Sequence, residues 1–159
     1  MKANPPSPPP VRSIADTTQP TAFPFPIRIY YEDTDAGGVV YYANYLRFCE
    51  RARSEWLRVL GFEQQKLLAE GGPFFVVRSV QADYHAPARL DDSLTVVSTM
   101  HDLRNVSVVF SQQIFREDKL LFTAKIKIAS VSSANGRPVP WPDAVHARFH
   151  DQLSPQPSR

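Results

Sequence analysis

From Asn44 to Leu60 the residues Tyr45, Cys49, Ala52, Trp56 and Leu60 recur every three or four positions, the period of one apolar helix face. The spacing predicts a helix over 44–60, with Asn44 as N-cap and Gly61 where a glycine commonly ends a helix. At 1.5 Å per residue such a helix is about 25 Å long, enough to cross a whole sheet. Arg47, Glu50, Arg51, Arg53, Glu55 and Arg58 fall on the other faces and read as solvated surface, with Arg51 and Glu55 as an i,i+4 pair. A second, short helix is predicted over 63–70, stopped by Gly71-Gly72-Pro73.

After Pro73 the period changes to two. Phe74, Val76, Val80 and Ala82 alternate with polar residues; Leu94, Val96 and Met100 follow, then Val106, Val108, Phe110 and Ile114. Leu120, Phe122, Ala124, Ile126 and Ile128 alternate with Thr123, Lys125 and Lys127. Polar breaks at 89–92, 102–105 and 117–119 separate these runs, and the last two are short enough for hairpins. With the strand-like run Ile27-Arg28-Ile29-Tyr30-Tyr31, the pattern predicts an α+β layer: about five antiparallel strands and one long helix on one face.

Composition bounds the domain. Eight of the 15 prolines precede Ile27, so residues 1–26 are expected to form a disordered proline-rich leader. Residues 27–150 are the expected folded domain and 151–159 a disordered tail. The leader lacks the apolar run of a secretory signal, and the single cysteine, Cys49, cannot form an internal disulfide, so a cytoplasmic setting is expected. Cys49 lies on the apolar helix face and reads as a buried, inert thiol. A net charge of +2 without blocks of like charge gives no sign of a nucleic-acid partner. No run approaches the ~20 apolar residues of a transmembrane helix.

The candidate chemistry sits between the first strand and the long helix, in Tyr31-Glu32-Asp33-Thr34-Asp35-Ala36-Gly37-Gly38-Val39-Val40-Tyr41-Tyr42-Ala43-Asn44-Tyr45. Asp33-x-Asp35 with Gly38 starts like a calcium loop, but Gly37 and Asn44 stand where oxygen ligands are needed, so calcium is excluded. No His/Cys set has zinc spacing. Ala36-Gly37-Gly38 lacks the pattern of a phosphate loop and suits a tight turn that substrate can approach. No Gly-x-Ser-x-Gly is present. Each aspartate is then either a turn-capping group or a carboxylate placed beside a helix N-terminus, the two parts that acyl transfer needs. His101, His146 and His150 read as solvated, and His85 as a loop former.

The fifteen-residue stretch resembles the signature of the hotdog-fold acyl-CoA thioesterases of the 4-hydroxybenzoyl-CoA thioesterase family. Glu50-Arg51-Ala52-Arg53 and Tyr84-His85-Ala86-Pro87-Ala88-Arg89-Leu90-Asp91-Asp92 extend the likeness to its bacterial branch associated with the Tol–Pal envelope system. The resemblance covers about residues 27–149. It implies a hotdog fold, in which the sheet wraps the long central helix. It implies hydrolysis of an acyl-CoA to free acid and CoA, with no metal or cofactor. Asp35 matches the catalytic carboxylate, as nucleophile or as base for water, and Asp33 keeps the loop-shaping role. The backbone N–H of Tyr42 matches the donor that polarises the thioester carbonyl, where the branch commonly has histidine. Gly37, Gly38 and Val39 are the expected substrate-facing stretch, and Arg104 and Asn105 match a CoA-phosphate-binding turn. The resemblance further implies a homo-oligomer, dimer or tetramer, and allows an acyl carrier protein as partner. The alternatives are a non-catalytic acyl-CoA or acyl-carrier-protein binding module serving the Tol–Pal system, and a hotdog dehydratase; the latter lacks support because no histidine falls in the loop–helix motif.

Overall fold

The alternating segments form five strands: β1 (Phe23–Arg28), β2 (Phe74–Tyr84), β3 (Ser93–His101), β4 (Ser107–Arg116) and β5 (Lys119–Val131). They make one sheet in the order β1-β3-β4-β5-β2, with every pair antiparallel. The computed structural model describes residues 21–153; the leader up to Pro20 and the tail from Ser154 lie outside the described residues. The long helix is α1 (Asn44–Val59), followed by the short α2 (Gln64–Ala69). Leu94, Val96 and Met100 of β3, Val108, Phe110 and Ile114 of β4, and Phe122, Ala124, Ile126 and Ile128 of β5 are all buried. Together they meet Tyr45, Phe48, Cys49, Ala52 and Trp56 of α1 in one core. The intervening strand residues, such as Thr95, Thr99, Ser111 and Thr123, are only half-buried. This is the period-2 and period-3.6 logic of the sequence carried into three dimensions, and it is the expected α+β hotdog arrangement.

The domain is longer at both ends than composition suggests. β1 starts at Phe23, inside the expected leader, because Phe23 and Phe25 alternate with Pro24 and Pro26. The phenylalanines are half-buried while the prolines are exposed. β1 is an edge strand, where proline is tolerated because its missing N–H would face outward. At the other end α3 (Asp143–Gln152) runs into the expected tail, and Leu153 bridges to Met100. Its period is hard to see because only Val145 and Phe149, one turn apart, are buried.

Three side chains on α1 also differ from expectation. Asn44 is the first helical residue rather than the cap, and its Nδ2 donates to the Asp33 carbonyl at 2.9 Å. Glu55 pairs with Arg58 instead of Arg51, whose guanidinium lies 5.9 Å from the Phe48 ring centre. Arg53 is buried, not solvated, and donates from Nη1 to Gln112 Oε1 at 2.9 Å.

The Phe23 ring stacks on Trp56 with centroids 5.6 Å apart and an angle of 6°. Phe23→Ala should therefore lower stability by about 2 kcal/mol, less than the loss from a fully buried Phe. Denaturant unfolding measures this; an unchanged midpoint would show that the structured domain does begin near Ile27.

Candidate active site

Backbone geometry of the 31–43 loop follows from its two aspartates and its glycines. A single 3-10 turn at Tyr31–Asp33 opens the loop. Asp33 Oδ2 accepts the Tyr30 N–H at 2.8 Å, and the Asp33 carbonyl accepts from the Tyr41 N–H at 3.0 Å and from Asn44 Nδ2. Asp33 is thus committed to joining the two ends of the loop. Asp35 is held differently. Its N–H donates to the Val39 carbonyl at 2.9 Å and its carbonyl accepts the Gly38 N–H at 3.0 Å, closing a tight turn. Gly38 sits at φ +77°, where L residues are strained. One carboxylate oxygen of Asp35, Oδ1, accepts the Gly37 N–H at 2.8 Å. A Cβ on residue 37 would lie 3.1 Å from that oxygen, so glycine lets the amide reach the carboxylate without displacing it. Among the described residues Oδ2 has no partner, and Asp35 is exposed. The outcome is a carboxylate of fixed orientation with one oxygen facing solvent.

The segment 84–92 fastens this loop to the helix. Val40 N–H donates to the Ala88 carbonyl at 2.9 Å, and the Ala88 N–H donates to the Tyr45 hydroxyl at 3.0 Å. Asp92 Oδ2 accepts from the Arg89 N–H at 2.9 Å and from Arg116 Nη1 at 2.8 Å, which pins the segment to β4. At the end of β2 the Tyr84 hydroxyl donates to the Tyr42 carbonyl at 2.8 Å. Burial holds the Tyr84 phenol above its ordinary pKa, so it serves as a neutral donor. The ring of Tyr84 packs edge-on against Tyr42, Tyr45 and Phe122. Sequence reasoning noted the 84–92 block only as resemblance and missed Tyr84 as a part of the site; its place at the end of an alternating run, 42 residues from Tyr42, was the available signal.

Tyr42 lies just before α1. Among the described residues no acceptor takes the N–H of Tyr42 or of Ala43; Ala43 is the N-cap, whose N–H a helix start leaves free, and Tyr42 stands one residue before it. The partial positive charge of that terminus favours negative charge beside it. The Asp35 turn and the Tyr42 amide therefore occupy the same loop, joined by the Thr34–Val40 bridge. The Tyr42 side chain is 62% exposed and its ring touches Tyr41 edge-on.

Gly37, Gly38 and Val39 form the turn around the Asp35 carboxylate, with Val39 half-buried. Arg104 and Asn105 do not join them within one chain. They sit in the β3–β4 turn, where Arg104 Nε meets Asp102 Oδ1 at 3.2 Å and their carbonyls hold Trp141. The Tyr84–Phe122–Ile114 row marks the Asp35 end of the sheet and Ser107 the other, a separation of about 20 Å along β4. His85 Nε2 lies 3.0 Å from Thr123 Oγ1, outside the loop. His101 is on β3, 2.8 Å from Thr99 Oγ1, and His146 and His150 are on α3. Burial pushes the Cys49 thiol up to about 12, consistent with an inert packing group.

Three comparisons with known proteins bear on this arrangement. The chain is 47% identical over 128 residues to the acyl-CoA thioesterase YbgC of Haemophilus influenzae, spanning 80% of this chain and 94% of that protein. It is 46% identical over 130 residues to the acyl-CoA thioester hydrolase YbgC of Escherichia coli O157:H7, spanning 81% and 96%. Among solved structures, a probable thioesterase from Bartonella henselae superposes with a TM-score of 0.73 at 38% identity, over 77% of this chain and all of that one. A 1,4-dihydroxy-2-naphthoyl-CoA thioesterase from Synechocystis shares the fold with a TM-score of 0.77 at 23% identity, over 82% and 97%. Residues 30–149, from the start of the Asp35 loop to Phe149 of α3, match the family model of the thioesterase-like superfamily, and the chain belongs to that superfamily.

Proposed function

We propose that the chain hydrolyses acyl-CoA thioesters to a free acid and CoA at the Asp35 loop. The observation that carries this is one short loop that presents a carboxylate with a free oxygen and, at the adjoining helix start, an unclaimed backbone N–H. The YbgC relatives, named as acyl-CoA thioesterases, support the same reaction. The thioester carbonyl oxygen would accept from the Tyr42 N–H, which stabilises the oxyanion as the carbonyl carbon becomes tetrahedral. Asp35 either attacks that carbon directly, with water then cleaving the anhydride, or takes a proton from the attacking water. In both routes the C–S bond breaks and CoA leaves as the thiol. The reading calls for neither metal nor cofactor.

Phe74, Val76, Val77, Val80 and Tyr84 of the edge strand β2 are 38% to 52% exposed, and pairing β2 with its copy would cover this apolar edge. A homodimer, or a tetramer built from two, follows from that reading. Arg104 and Asn105 would then serve CoA bound at a site of the second copy. A cytoplasmic setting rests on the lone buried thiol, and the Tol–Pal link and the acyl carrier protein partner on the sequence resemblance. No described helix is long and apolar enough to cross a membrane.

Release of free thiol from a panel of acyl-CoAs tests the activity directly; no release from any of them would sink it. Tyr84→Phe provides a second test, since it removes the hydrogen bond to the Tyr42 carbonyl but keeps the ring. A hydrogen bond of this kind contributes about 1 kcal/mol, so kcat should fall roughly fivefold with KM little changed. Equal kcat for Tyr84→Phe and the parent would show that the helix start needs no such tether.

A further inference from the structure

Arg53 is 8% exposed, yet among the described residues its guanidinium makes one hydrogen bond, Nη1 to Gln112 Oε1, and no ion pair. Gln112 is fully engaged in turn, with Nε2 donating to the Cys49 carbonyl at 3.0 Å and to Ser98 Oγ at 2.9 Å. A guanidinium carries five N–H donors, and those of Arg53 that Gln112 leaves unused open towards solvent through the pocket beside it, since among the described residues Ser130 Oγ is the one buried side-chain polar atom without a partner. The side chain lines a cavity of about 100 Å³ whose other walls include Leu57, Phe75, Phe110, Trp141 and Phe149. Glu50 is also on the rim, where it accepts from Ser54 Oγ at 3.2 Å instead of pairing with Arg53.

An open-sided, mostly apolar and aromatic pocket with the Arg53 cation in its wall, and Glu50 turned to Ser54, matches a ligand with an apolar body and one anionic end. We propose that this cavity binds a short carboxylic acid as its anion, the carboxylate on the Arg53 guanidinium and the carbon chain against Phe75, Trp141 and Phe149. Planar guanidinium and planar carboxylate pair by parallel hydrogen bonds, which supplies the specificity. A space of this size holds several water-sized groups, room for a carboxylate with two or three carbons behind it. About 17 Å of helix separates Arg53 from Tyr42. The occupant is therefore a free acid, not the tail of a short acyl group reacting at Asp35 of the same chain. The site does not depend on the hydrolase reading.

Trp141 lines the cavity, so tryptophan fluorescence of the full-length protein reports on it. Titration with butyrate should give a saturable change, and 1-butanol at the same concentrations should not. Ser54→Leu, at a half-buried position on the cavity wall, narrows the pocket and frees Glu50 from its hydrogen bond, and both changes oppose an anion on Arg53. It should weaken butyrate binding at least tenfold while leaving thiol release from acyl-CoA unchanged. Arg53→Gln should do the same to binding if circular dichroism shows that it folds, and Ser54→Leu decides the matter if it does not. An equal response to butanol, no saturable response to butyrate, or an undiminished response in folded Ser54→Leu would each overturn the proposal.

Discussion

Asp35→Asn should fold, assemble and melt like the parent and lose hydrolysis by at least ~100-fold. The amide keeps the size of the carboxylate, and its carbonyl oxygen can still accept the Gly37 N–H that orients residue 35. What disappears is the negative charge, and with it both the nucleophile and the base. Asp33→Asn makes the contrasting control. Its carboxylate oxygen Oδ2 is already spent on the Tyr30 N–H, so the substitution should disturb loop stability more than turnover. Steady-state thiol release with thermal melting of both variants separates the roles. Near-parental turnover by Asp35→Asn would end the proposed mechanism.

Tyr42→Pro should be nearly as damaging, and Tyr42→Phe should not. Proline removes the N–H that would meet the developing oxyanion, and loss of one such donor raises the barrier by about 3 kcal/mol, or roughly 100-fold or more in rate. Phenylalanine keeps the donor, the helix start and the edge-on contacts with Tyr41 and Tyr84, so turnover should change by about tenfold at most. Because proline also constrains the step into α1, circular dichroism must show a parental helix content before the rates are compared. If Tyr42→Phe abolished turnover in a folded protein, the phenolic hydroxyl would be the working group and the backbone assignment wrong.

What was legible in the sequence is what local periodicity encodes. The stripe Tyr45-Cys49-Ala52-Trp56 announces α1 because those residues face one core, and β5 is clear because its alternation is unbroken. The Asp35 turn was legible because its parts are neighbours, with Gly37 and Gly38 two and three positions from the carboxylate they shape. The misses are of another kind. The run expected at 27–31 is shifted: β1 ends at Arg28, Tyr31 enters the 3-10 turn, and its start at Phe23 was hidden because proline content outweighed a two-residue alternation that an edge position permits. α3 offers two apolar residues where a periodic reading needs more. Arg53 looked like surface because its partner Gln112 lies 59 residues away on β4. Tyr84 escaped for the same reason. A contact made across the sheet leaves no trace in the spacing on either side of it.

The prolines of β1 have a consequence for polymer growth. A sheet that extends by strand addition is a two-ended monomer, and chains of such monomers lengthen without limit. Here Pro24 and Pro26 strip N–H donors from one end, whereas β2 keeps its own at the other. In the proposed dimer a single addition, β2 to β2, would use up the sheet edge of the described residues that keeps its donors. Such a pair would present a proline-bearing β1 edge on each side, so edge-to-edge growth would stop at two.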